Sequence, residues 1–138
     1  MKLFLDANVL FTAAYSENGI SRTLFLLAGA GKCSLCTSAY AAEEARRNLL
    51  VKAPAKLAAF TTLLARVTLV REPSPAAVLR MTKLPLVEKD APIMAAAVEA
   101  GAMLLVTGDR NDFGHLFGTT VEGVQVLLPV AALERVLG

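Results

Sequence analysis

The sequence predicts an α/β fold in which a central, mainly parallel five-stranded sheet is covered by helices on both faces. Three observations predict it. Short apolar runs alternate with segments whose apolar residues recur at helical spacing, no two-residue hairpin turn joins successive runs, and 55% of the 138 residues are apolar, enough to bury a sheet on two sides. A chain of this size, with no internal repeat and no linker-like tract, is expected to form a single domain over residues 1–138.

Residues 2–6 make a short apolar run that ends on an acid and read as the first strand. Residues 21–30 then supply an N-cap, Ser21, followed by Leu24, Phe25 and Leu27 at helical spacing. Residues 33–37 read as the second strand, Ser38 can cap a helix reaching about Val51, and Pro54 suits the first turn of a further helix over residues 53–66. Residues 67–70 form the third strand. Pro73 and Pro75 open a short helix to about Lys83, and Pro85 separates it from a helix that begins at Asp90 and stops at Gly101. Residues 102–107 are the most apolar strand candidate, followed by the polar turn 108–112, a short segment 113–117, a last strand at 124–128 and a helical ending at 130–137.

Composition narrows the function. A net charge of +2 and a pI near 8.7 permit an acidic partner without demanding one. The apolar stretches fall well short of the roughly eighteen residues needed to cross a bilayer, and Met1 to Phe4 lead through Leu5 into an aspartate, so the expected protein is soluble and cytoplasmic. Cys33 and Cys36 have C-x-x-C spacing, but a zinc site needs about four ligands and the only histidine, His115, is distant in sequence. Placed on a strand, the two thiols would point to opposite faces, so both read as ordinary thiols and not as a redox pair. A serine or cysteine hydrolase is disfavoured too, since no nucleophile elbow is present and His115 reads as structural.

The acids carry the argument. The chain has only four aspartates, Asp6, Asp90, Asp109 and Asp112, and each falls where a predicted element starts or stops. In a parallel sheet Asp6, ending the first strand, and Asp109, following the fourth, emerge at the same carboxyl edge, where ligands gather in such folds. Asp90 stands at a helix start, where capping is the ordinary use of a carboxylate, yet Ile93 and Met94 put it on the face that meets the sheet. Glu43 and Glu44 cannot both face one site, because helix neighbours point about a quarter-turn apart. Glu43 has Arg46 and Arg47 at ion-pair spacing, which favours Glu44 as the inward acid. Carboxylates so gathered repel one another unless a cation offsets them, and an all-oxygen set with few histidines suits magnesium or manganese.

The motifs that hold these acids resemble those of the PIN-domain ribonucleases, above all the toxin subunits of VapBC-type toxin–antitoxin pairs. Leu5-Asp6-Ala7-Asn8-Val9 resembles the opening motif, Ser38 with Glu44 the second, Lys89-Asp90-Ala91-Pro92-Ile93 the third, and Val106-Thr107-Gly108-Asp109 the fourth. Each motif is short, but their order and spacing span nearly the whole chain. The resemblance implies a PIN-like three-layer sandwich and an RNA-cleaving pocket in which Asp6, Glu44, Asp90 and Asp109 are catalytic and hold Mg2+ or Mn2+. Asp112, at a position that varies in the family, ranks below them as a metal ligand, and Asn8, Ser38 and Thr107 would support the ligands through hydrogen bonds. It also implies an RNA substrate, an antitoxin partner and a homodimer, with Phe11 and Tyr15 as candidate contact residues. Arg22, Arg46, Arg47, Lys89 and Arg110 are candidates for RNA phosphates, against solvation as the ordinary use of such side chains. A non-catalytic PIN-like module that binds RNA or protein remains open on the same residues.

Overall fold

A computed structural model describes all residues, 1–138. Its sheet has six strands in the order β3-β2-β1-β4-β6-β5: β1 (Lys2–Leu5), β2 (Ser34–Ser38), β3 (Thr68–Val70), β4 (Leu104–Val106), β5 (Thr120–Val121) and β6 (Val124–Leu127). All pairings are parallel except that of β5 with β6. The expected five-strand count is therefore corrected to six. The added strand is two residues long and joins β6 through a two-residue turn, a connection not expected from the sequence. Glu122 and Gly123 there take φ values of 45° and 89°, the left-handed pair that a tight hairpin requires.

Eight helices flank the sheet: α1 (Ala7–Tyr15), α2 (Ile20–Gly29), α3 (Ala39–Lys52), α4 (Leu57–Leu64), α5 (Pro75–Met81), α6 (Ala91–Glu99), α7 (Arg110–Phe113) and α8 (Pro129–Leu137). Two of these depart from expectation. Helix α1 starts directly after Asp6, burying Val9, Leu10, Ala13 and Ala14 along one side. Helix α2 begins at Ile20 behind a Gly19 cap, and Ser21 lies buried inside its first turn, with Oγ 2.7 Å from Thr12 Oγ1.

The helices α1, α2, α3, α4 and α8 contact one another in a chain, and α6 packs on α5 and also touches α3. Helix α6 also reaches β2 and β4, and Ala91, Ile93, Met94, Ala95, Ala96 and Ala97 are all buried on it. Its run of alanines allows a close approach to neighbouring elements, which holds the Asp90 end of the helix against the sheet margin. One cluster of buried apolar residues runs from Leu3 to Ala132 through β1, β4 and α6. Cys33 and Cys36 belong to it as free thiols, and burial pushes both upward in pKa, Cys36 to about 11. Neither has the depressed pKa of a reactive cysteine.

The strand order places a topological switch between β1 and β4. The chain steps from β1 to β2 to β3 on one side and then returns to β4 on the other. A crevice forms at the carboxyl ends where the direction reverses, and that crevice holds the acids.

Candidate metal centre

Leu5 on β1 pairs with Val106 on β4, so the next residues, Asp6 and Thr107, leave the sheet side by side. Thr107, fully buried, donates its hydroxyl to Asp6 Oδ2 at 2.8 Å. The Asn8 amide donates to the same oxygen at 3.2 Å and to Thr107 Oγ1 at 3.2 Å, while the Ala7 N–H donates to Asp6 Oδ1 at 2.7 Å. Asn8 Oδ1 in turn accepts the Gly108 N–H at 2.7 Å, and Thr107 Oγ1 accepts the Asp109 N–H at 3.1 Å. Asp6 is therefore both the cap of α1 and the centre of a network that ties the two strand ends together. Burial nevertheless raises its pKa to about 6, opposed by the Thr107 and Ala7 hydrogen bonds and reinforced by the charges of Glu44 and Asp109.

Asp90 sits differently. It precedes α6 at the end of a 3-10 turn (Glu88–Asp90) but makes no side-chain capping bond. The ordinary explanation for an acid at a helix start thus fails here. Its Oδ2 is buried and receives no hydrogen bond from any protein group. Burial pushes Asp90 up to about 8, with hydrogen bonding to Asp112 and the charge of Asp6 adding to the rise. The same hydrogen bond holds Asp112 below the usual carboxylate range.

Asp109 caps α7 by accepting the Asp112 N–H at 2.9 Å, and this single turn brings Asp112 to the site. Asp90, Asp109 and Asp112 each offer a carboxylate oxygen within 4.8 Å of the others. Asp6, Glu44, Asp90 and Asp109 line one cleft of about 230 Å³, together with Asn8, Thr12, Asn48, Lys52, Lys89 and Phe11. The structure thus brings all five acids to one place, but the tight trio includes Asp112, ranked last from sequence, and leaves Asp6 and Glu44 outside it. An Asp-x-x-Asp spacing over a helix start was the signal that could have promoted Asp112, since residues three apart share a helix face.

The supporting residues divide. Asn8 and Thr107 bond directly to Asp6, whereas the buried Ser38 uses its hydroxyl to accept the Ala41 N–H at 3.1 Å and so caps α3, the helix that carries Glu44. Glu43 turns outward onto Arg46, at 2.6 Å from Oε1 to Nη2, leaving Glu44 as the acid on the cleft. Among the basic candidates, Arg22 instead donates from Nε to the Ala13 carbonyl at 2.7 Å, while Lys89 lines the cleft itself. A hard divalent ion fits this set. The donors are carboxylate oxygens, three of them converge, and Asp90 Oδ2 is a buried acceptor with no donor.

Comparison with known proteins agrees with the architecture. No curated protein matches the sequence. Among solved structures, PAE2754 from Pyrobaculum aerophilum is similar with a TM-score of 0.66 and 22% identity, over 99% of this chain and 98% of its own. VapBC2 from Rickettsia felis, bound to a DNA fragment from its promoter, gives a TM-score of 0.68 at 16% identity, over 93% and 98% of the two chains. FitAB bound to the IR36 DNA fragment gives 0.56 at 18%, over 92% and 94%. At these identities the likeness speaks for the fold. The family model described as PIN domain matches residues 2–111, the stretch that carries every acid of the cleft except Asp112, and on that match the chain belongs to the PIN-domain family.

Proposed function

We propose that this chain is a metal-dependent endoribonuclease that hydrolyses RNA phosphodiester bonds and acts as the toxin component of a toxin–antitoxin pair. The observation that supports it most is the buried, donor-free Asp90 Oδ2 beside Asp109 and Asp112, a crowding of carboxylates that a divalent cation would offset. Asp90, Asp109 and Asp112 would hold Mg2+ or Mn2+, with Asp6 and Glu44 lining the same cleft. Such an ion supplies a water of lowered pKa and offsets charge on the phosphodiester.

The remaining work falls to the chain's own groups. Thr107 and Asn8 hold the Asp6 carboxylate in one orientation through their hydrogen bonds. Glu44, which lines the cleft with Asp6, would accept a proton from a water approaching the phosphorus. Lys52 and Lys89 give the cleft its positive groups for an anionic substrate.

Residues 1–138 form one functional domain in this reading, working as a homodimer in the cytoplasm. An antitoxin would regulate it, consistent with the VapBC2 and FitAB likeness. No helix is long and apolar enough to cross a membrane. The test is cleavage of single-stranded RNA after dialysis against a chelator. Activity should vanish and return with magnesium or manganese, and full activity in chelator refutes the reading. Metal binding without cleavage of any RNA would favour the non-catalytic module.

A further inference from the structure

The cleft contains a counter-charge whose placement goes beyond general attraction for RNA. Of the three ion pairs in the molecule, Arg46 with Glu43 and Arg80 with Glu122 do not line the cleft, whereas the third brings Lys89 Nζ to 3.7 Å from Asp112 Oδ2. Lys52, the other lysine of the cleft, lies with its Nζ 5.8 Å from the centre of the Phe11 ring. Lys89 is thus the cation that offsets the acidic trio.

Its anchoring is asymmetric. The backbone sits in the 3-10 turn Glu88–Asp90, and its carbonyl accepts the Tyr40 hydroxyl at 3.1 Å. The side chain is 59% exposed on a flexible four-carbon stem, so the ammonium can leave Asp112 with no change in the backbone. A pair this exposed is weak and easily exchanged.

We propose that Lys89 is a positioning residue that exchanges partners: its ammonium offsets Asp112 while the pocket holds no divalent ion, and once an ion is held it turns to a non-bridging oxygen of the RNA phosphodiester. This rests on the nuclease reading above. The ion and the ammonium compete for the same carboxylate and repel each other, so occupancy by one displaces the other. The displaced ammonium is a compact point charge suited to phosphate. Lys89 therefore acts against the ion and in favour of the RNA. A lysine that merely braced the turn would do neither, and one that only met phosphate would leave ion affinity untouched.

The two opposed effects are measured on the full chain in its parent, Lys89→Gln and Lys89→Arg forms. Manganese affinity is read by calorimetry, and RNA cleavage is followed over a range of salt. Lys89→Gln should bind manganese up to about tenfold more tightly, since a nearby like charge is gone. Its KM for a short single-stranded RNA should rise about tenfold with kcat held within about threefold, and the slope of log(kcat/KM) against log salt should become shallower by about 0.7. Lys89→Arg should keep both the parental slope and the parental manganese affinity. Manganese binding by Lys89→Gln that is unchanged or weaker overturns the exchange, as does an unchanged salt slope. A parent chain that binds no manganese overturns the nuclease reading itself, a result distinct from either failure at Lys89.

Discussion

The two walls of the acidic cleft are built on opposite principles. On the wall formed by the ends of β1 and β4, both Asp6 oxygens are bonded, with Thr107, Asn8 and the Ala7 N–H as donors. On the wall formed by the starts of α6 and α7, Asp90 leaves one buried oxygen without a donor, and Asp112 leans on a mostly exposed lysine. The first wall is a frame whose polar groups satisfy one another. The second is a surface whose groups await something from outside. Substitutions should therefore separate: those in the frame should cost stability, and those in the receiving wall should cost activity.

Asp90→Asn should show the largest effect. Cleavage should fall by at least about a hundredfold, the upper end of what loss of a metal-supporting group usually costs. Its metal-free stability, measured by denaturant titration in chelator, should match or exceed the parent's, because the change relieves crowded like charge. Marked metal-free destabilisation would show that Asp90 belongs to the frame after all.

Thr107→Val tests the other wall. It removes a buried hydroxyl that bonds Asp6, Asn8 and the Asp109 N–H, and should lower metal-free stability by about 2 to 4 kcal/mol. A stability loss too small to resolve would mean that the frame is held by something other than this network.

A pH dependence spans both walls. Asp6 and Asp90 have folded-state pKa values raised to about 6 and about 8 from an ordinary 3.8. Between 3.8 and about 8 the folded chain therefore binds more protons than the unfolded one, so metal-free stability should be greatest at the acid end and decline as pH rises through that window. Asp112, shifted down, acts only below it. Thermal melts in chelator at several pH values check this, and saturating magnesium should flatten the decline. A metal-free stability that rises toward pH 8 would contradict it.

Much of this arrangement was legible in the sequence because it depends on strand ends. An acid that closes an apolar run is carried by a parallel sheet to a fixed edge, which is how Asp6 and Asp109 could be paired across the chain. What escaped depends on short-range geometry. Asp6 was read as the end of a strand and not as the cap of α1, although Val9, Leu10, Ala13 and Ala14 carry helical spacing. The hairpin at Glu122 and Gly123 escaped because β5 is only two residues long, too short for alternation to register. Asp112 was underrated because its position depends on one turn of helix, α7, that Asp109 itself nucleates. Glu44 could be chosen over Glu43 because its neighbour's ion pair was already visible in the spacing of Arg46.

The bond from Thr107 to Asp6 and that from Gly108 to Asn8 join residues 101 and 100 positions apart. Such distant pairings form late, since a long loop must close before they return anything. During synthesis, which proceeds from the amino end, a ribosome must add a further 101 residues after Asp6 before Thr107 can meet it. A nascent chain shorter than that lacks Asp109 and Asp112, so the acidic cleft cannot close until synthesis has passed residue 112.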